Sequence, residues 1–330
     1  MPSPDSRSTG GAPESSIDPD PQPTGVLLMT YGSAATAEEV PAYLRSVRGG
    51  RDADPELVAE FQRRYRLIGW SPLVRITLEQ GAALQRLLDA DHGPGRYRVE
   101  VGMLHSKPTI DEAVARLAVA GTRRLIGIVL SPQWSPQIMG GYQRALDAAA
   151  WRLGPGAQVV LAGPWHRTPA FLDALAERVT EALGRLDPEV PVLFTAHSLP
   201  KAVVDRDPGY LDQIAETIDA VAERTGLDRS RWQFAYQSAG HSPEEWLKPD
   251  LKDLLPGLRD DGHKAVLVVP VQFLADHLEI LYDIDVAARE EAEEAGLEFN
   301  RIELMNTAPS FIRALADVAL DQERSALQPG

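Results

Sequence analysis

The stretch KAVLVVPVQFLADHLEILYDID, residues 264–285, decides the fold. Lys264–Val271 is an almost continuous apolar run, the pattern of a strand covered on both faces rather than one with a wet side. Beyond it, a Leu-rich acidic segment opens a helix that continues through DIDVAAREEAEEAG, residues 283–296. A buried strand that feeds a helix is the repeating unit of an α/β protein with parallel sheets.

The same alternation recurs outward along the chain. Candidate strands are Gly25–Tyr31, Tyr97–Leu104, Arg124–Leu130 and Gln158–Ala162, then Val192–Ala196, Trp232–Tyr236, Lys264–Val271 and Phe299–Met305. The fourth strand of each set is followed by a related segment. TPAFLDALAERV (Thr168–Val179) and APSFIRALADVA (Ala308–Ala319) share Pro, Phe and Ala-Leu-Ala in register. Each reads as a helix starting at a Pro, and the repetition points to a duplication. The expected architecture is therefore α/β, with two similar Rossmann-like domains at residues 25–184 and 191–330. Each holds a four-stranded parallel sheet flanked by helices, with a cleft between the domains and the last helix packing back. The turn-rich stretch Gly184–Pro191 (GRLDPEVP) is the joint.

The halves differ in one respect. Between its first two strands the first half carries about 65 residues, Gly32–Arg96, against fewer than 40 in the second. This insertion, about 33–96, is helical in pattern and rich in Arg and aromatic residues. Long insertions at strand ends tend to bind ligands rather than build scaffold.

Composition narrows the function. With Asp+Glu 48 against Lys+Arg 33, the formal net charge is −15. That balance excludes the basic stripe of a nucleic-acid binder and argues against a polybasic membrane anchor. There is no cysteine, so thiolate zinc sites, thiol nucleophiles and cysteine-held iron–sulfur clusters are excluded, and any metal must meet His, carboxylate or Tyr. No apolar run approaches the ~20 residues that span a bilayer. Residues 1–24 are rich in Pro, Ser, Gly and Asp and read as a disordered tail with no signal-peptide pattern, so a cytoplasmic enzyme is expected.

In open α/β sheets ligands bind beyond the carboxyl ends of strands. His197 follows the strand VLFTA and precedes a Pro-stiffened turn. Alone, it reads equally as a structural or exposed histidine. Asp276, Glu279 and Asp283 sit at i, i+3 and i+7, on one face of the expected helix. Acids there also complement a helix N-terminus, and Asp276 fits an N-cap. Taken together, the two segments leave the first and third strands of one half, which places an imidazole opposite a carboxylate cluster. That donor set suits Fe2+ as well as proton abstraction. Tyr31 ends the first strand at the position equivalent to His197, as core filler or as a face-on ligand. Arg48, Arg51, Arg63, Arg64 and Arg66, beside Tyr65 and Trp70, are either solvated helix faces or forks and flat surfaces for a planar polycarboxylate. His92, His166, His241 and His263 read as surface or structural residues.

These segments resemble the ferrochelatase family from Gly25 to about Leu320. The resemblance rests on MTYGS (29–33), SPLVRIT (71–77), GMLHSKP (102–108), TAHSLP (195–200), YQSAGHSPEEWLKPD (236–250) and VPVQFLADHLEILYDID (269–285). The Tyr of MTYGS resembles the coproporphyrin branch found in Gram-positive bacteria and actinobacteria. The resemblance implies a class II chelatase fold and insertion of Fe2+ into coproporphyrin III in haem biosynthesis. It also implies His197 and Glu279 as the metal-insertion pair and metal contacts, with Asp283 behind them. Tyr31, Arg48, Arg64, Tyr65, Ser71, His105 and Tyr142 would contact the porphyrin. It implies a monomer with Fe2+ as substrate, no organic cofactor, no nucleic-acid partner, and transient contact with the next enzyme of the haem pathway. Three positions depart from the family pattern: Ala287 replaces a usual acid along the helix face, Ile68-Gly69-Trp70 shortens the loop before Ser71, and the cysteines of cluster-bearing relatives are missing. A protoporphyrin ferrochelatase, a sirohydrochlorin-type cobalt or nickel chelatase, and a non-catalytic haem carrier are the alternatives.

Overall fold

Strands with no wet face need helices on both sides, and the chain supplies them in two copies. The structure, a computed structural model, describes residues 22–240 and 243–327. Residues 1–21 of the expected tail, and His241, lie outside the described residues. In the first half, β1 (Thr24–Thr30), β2 (Tyr97–Met103), β3 (Arg124–Val129) and β4 (Gln158–Leu161) pair in the order β2-β1-β3-β4. In the second, β5 (Val192–His197), β6 (Trp232–Gln237), β7 (Ala265–Pro270) and β8 (Glu298–Arg301) pair as β6-β5-β7-β8. Every pairing is parallel. The two orders are equivalent, as the duplication requires. In each half the central pair, β1 with β3 and β5 with β7, leaves its carboxyl ends side by side.

The insertion forms α1 (Val40–Val47), α2 (Pro55–Leu67) and α3 (Leu73–His92); α4 (Ile110–Val119), α5 (Pro136–Ala149) and α6 (Pro169–Leu183) complete the first half. The second half holds α7 (Lys201–Val204), α8 (Gly209–Thr225), α9 (Leu251–Asp260), a π-helical stretch Glu279–Ala288, α10 (Arg289–Glu294) and α11 (Pro309–Leu327). The duplicated segments are α6 and α11, each opening at its Pro. They pack against each other and bury Phe171 and Phe311, the equivalent aromatic of each copy. In addition, α11 lies on α3, so the last helix joins both halves.

Two expected boundaries move. The final strand stops at Arg301 instead of running to Met305, although Ile302, Leu304 and Met305 stay buried. Ile302 N–H still donates to the Val268 carbonyl at 3.2 Å. The next rung of a parallel ladder would need an N–H from Pro270, which has none, so the ladder ends there. Thr24, placed in the tail by sequence, opens β1 instead and is buried.

Thr24 owes its burial to Glu323 of α11. The Glu323 carboxylate accepts from Thr24 Oγ1 at 2.9 Å, Arg96 Nη2 at 2.6 Å and Tyr97 Oη at 2.5 Å. Burial would push this carboxyl up, but bonds from Tyr97, Thr24 and Arg96, with the Arg96 charge, hold it below its ordinary value. A depressed carboxyl stabilises the fold fully above the unfolded value near 4.5, and that contribution is lost as pH falls through the folded value. Glu323→Gln should therefore cost about 1–2 kcal/mol at neutral pH. The gap in Tm between variant and parent should close on acidification below the unfolded value. A gap of equal size at acid and neutral pH would remove the charge from this clamp.

Candidate active site

The carboxyl ends of β5 and β7 bring His197 and Glu279 together. His197 is the last residue of β5, paired with Gln237 of β6. On the other side β7 has ended, and the Gln272 side chain replaces the missing partner: its Oε1 accepts from His197 N–H at 2.8 Å. Gln272 is held in turn by Tyr210 of α8. The His197 Nδ1 faces the Ser198 carbonyl, which can only accept, so Nδ1 carries the proton and Nε2 is free to face the crevice. That Nε2 lies 3.7 Å from Glu279 Oε2.

A second imidazole, not singled out from sequence, meets the same oxygen. His277 Nε2 also lies 3.7 Å from Glu279 Oε2, while its Nδ1 donates to the Ala275 carbonyl at 2.9 Å. Residues two apart on a helix point different ways, which concealed His277. Here the helix begins only after it, and the preceding turn folds the ring back. Burial would push the Glu279 carboxyl up, but the His197 charge and the bond and charge of His277 hold it at about 2. For His277, burial works downward and is outweighed by Glu279, so its pKa is raised.

The helix carrying Glu279 is π-helical over Glu279–Ala288, and Ile280, Ile284 and Ala288 form its buried lane. Glu279, Asp283 and Ala287 form the adjacent lane at the same spacing. Burial and the Glu279 charge raise the Asp283 carboxyl. Asp276 does not join this row. It precedes the helix and caps nothing there; its carboxylate accepts from Asn306 Nδ2 at 2.8 Å and lies 3.5 Å from Arg301 Nη2. Asp276 is thereby corrected from an acidic-face or N-cap residue to a half-buried brace.

The first half supplies the opposite wall. β1 ends at Thr30, Tyr31 follows it directly, and Gly32 turns the chain with φ +90°, where an added Cβ would strike Ser106 Oγ. Tyr31 is 42% exposed, and the His105 ring stands edge-on to it with centroids 4.4 Å apart. Desolvation, then the Glu279 charge, raise the Tyr31 phenol. Tyr31 therefore leaves the first half at the strand exit equivalent to that of His197, close enough for the Glu279 charge to act on it. His105 is held by Ser46 Oγ at 3.0 Å, and burial lowers its pKa.

The insertion residues divide. Arg48 is exposed at the end of α1. Arg64 Nε donates to Glu60 at 2.8 Å, its guanidinium lies 4.8 Å over the Tyr282 ring, and Nη1 is 3.9 Å from Asp283. Thus α2 is latched to the π-helical stretch. Three expected contact residues are buried behind the wall. Tyr65 is 1% exposed, with its hydroxyl 2.9 Å from Ser33 Oγ and its ring stacked on Trp70. Tyr142 of α5 is 7% exposed and points into the core of the first half. Ser71 accepts from Leu73 N–H at 3.4 Å and lines a separate surface pocket of about 470 Å³ with Val74, Arg75 and Leu78. All three are thus largely buried in this conformation. Tyr43 of α1, missed from sequence, sits among the phenols of Tyr65, Tyr31 and Tyr142, with a hydroxyl raised by burial. His166 is structural, bonded to Glu216 at 2.7 Å. Among the described residues no group of three or more His, Asp or Glu forms a ready metal cage.

Comparison with known proteins agrees with this geometry. The ferrochelatase family profile matches residues 23–323. A ferrochelatase of Herpetosiphon aurantiacus is 38% identical over 304 residues, covering 91% of this chain and 99% of that protein. A coproporphyrin III ferrochelatase of a Geobacillus species is 35% identical over 302 residues, covering 90% and 96%. Among solved structures, SirB from Bacillus subtilis with Fe3+ superposes with a TM-score of 0.58 at 12% identity, covering 92% of this chain and 97% of SirB. The likeness to SirB shows the shared chelatase fold. The chain belongs to the ferrochelatase family, the lyases that insert ferrous iron into a tetrapyrrole.

Proposed function

We propose that this ferrochelatase acts on coproporphyrin III, and that His197 and Glu279 insert the iron from one face while Tyr31 meets the other. The observation that carries the pair is the convergence of His197 Nε2 and Glu279 Oε2 at 3.7 Å on the crevice facing Tyr31. Coproporphyrin III is supported by the Tyr at position 31 and by the relatives of that name at 33–36% identity over about 90% of the chain. It also fits the chemistry of an exposed Arg48 at the end of α1, the helix whose Ser46 holds His105, since this porphyrin carries four propionates for guanidinium forks.

The free porphyrin holds two protons on inward nitrogens, and both must leave as Fe2+ enters. His197 takes a proton at Nε2, the nitrogen left bare by its Nδ1 bond. Glu279 stays ionised and replaces water around the cation. Asp283, whose carboxyl is raised, is the neighbouring group readier to hold a proton. Carboxyls with pKa values pushed apart divide acid from base duty. No redox change and no organic cofactor enter this scheme.

Two substitutions test it. His197→Ala should abolish iron insertion, by about 100-fold or more, while leaving coproporphyrin III binding intact in fluorescence titrations. Near-parental turnover would take His197 out of the mechanism. Arg48→Ala should weaken coproporphyrin III binding by about 10-fold, the scale of one charge-assisted pair, with little change in kcat. An unchanged Kd would end the propionate assignment.

A further inference from the structure

The turn that aims His277 and Glu279, residues 274–278, is held by one side chain outside it. Asn306 sits between β8 and α11 in the left-handed region, with φ +43°. Its N–H donates to the Leu274 carbonyl at 2.9 Å, its Oδ1 accepts from Asp276 N–H at 2.9 Å, and its Nδ2 donates to Asp276 Oδ2 at 2.8 Å. Its own carbonyl accepts from Gln80 Nε2 of α3 at 2.7 Å. All four polar groups of Asn306 are therefore engaged, three on the turn and one on the first half. Arg301 adds a second hold, gripping Asp285 of the π-helical stretch at 2.7 and 2.8 Å and lying 3.5 Å from Asp276. Ala275 packs on Leu73 and Ile76 of α3, so the apolar side of the turn is also seated on the other half.

We propose that Asn306 is a positioning residue for metal insertion: it holds the 274–278 turn so that the Glu279 carboxylate keeps its place relative to the first half. It touches neither substrate in this arrangement; it acts through Asp276 and the turn backbone. The inference rests on the reading of Glu279 as a metal-insertion group. Left-handed backbone accounts for a small polar residue here, but not for both ends of the amide being spent on the main chain and side chain of Asp276.

Asn306→Gly keeps the backbone conformation and the main-chain bonds while deleting the amide. It should lower kcat by about 10-fold to 100-fold, the scale of a misplaced catalytic group, with the Kd for iron-free coproporphyrin III unchanged. Asn306→Asp sets two carboxylates against each other and should be as slow. The exchange Asp276→Asn with Asn306→Asp restores a donor–acceptor pair and should return kcat to within about 3-fold of the parent. Circular dichroism and Tm establish that each variant is folded. Parental kcat in a folded Asn306→Gly variant would overturn the proposal, as would an exchange that recovers Tm but not kcat. Glu279→Gln is run in parallel: if it keeps turnover the underlying site reading fails, whereas a dead Glu279→Gln with a fully active Asn306→Gly defeats the positioning role alone.

Discussion

The crevice depends on keeping a carboxylate ionised within walls of protein. Partial removal from water works against the Glu279 charge, since taking a carboxylate out of water favours the neutral acid. Two imidazoles facing its Oε2, each at 3.7 Å, reverse that balance and hold it at about 2. The Nδ1 of each ring is tied to a main-chain carbonyl, so both rings present the same nitrogen inward. A closed metal cage would trap the ion; an open pair of nitrogens and one oxygen can pass it on to a ring of pyrrole nitrogens.

The duplicated fold explains why such a cluster forms without local sequence continuity. Parallel order β6-β5-β7-β8 places the exits of β5 and β7 side by side, so residues 197 and 279 become neighbours across some eighty positions of chain. The first half repeats the order and delivers Tyr31 from its equivalent exit. The scaffold duties fall on the copies that kept their likeness, α6 and α11, which pack together. The chemistry falls where the copies diverged, at the strand exits and in the insertion.

Much of this was legible in the sequence because burial leaves a strong imprint. The apolar runs marked all eight strands to within a few residues, and the shared Pro, Phe and Ala-Leu-Ala marked the two halves. What stayed hidden was conformation that depends on distant partners. Pro270 ends the β7–β8 ladder only because Ile302 lies opposite it. Asp276 looked like a helix acid because nothing local announces Asn306 and Arg301, thirty and twenty-five residues downstream. The burial of Tyr65 and Tyr142 was equally hidden, since the hydroxyl of Tyr65 finds its partner in Ser33, thirty-two residues upstream. His277 was invisible because helical periodicity was applied one turn too early.

The helix that carries Glu279 winds as a π-helix over Glu279–Ala288. Wider turns are rare, cluster at functional sites, and persist only where tertiary contacts compensate for poorer packing along the axis. Here the compensation is visible on both sides: Ile280, Ile284 and Ala288 are buried against the second core, while Tyr282 is gripped by Arg63 at 2.7 Å and overlain by Arg64. The half-buried lane then reads Glu279, Asp283, Ala287, two carboxylates followed by a methyl group. Charge of opposite protonation tendency sits at the crevice end, and the lane goes apolar one step further. A cation guided along this helix would find its last carboxylates next to His197, with no third acid at Ala287 to hold it back.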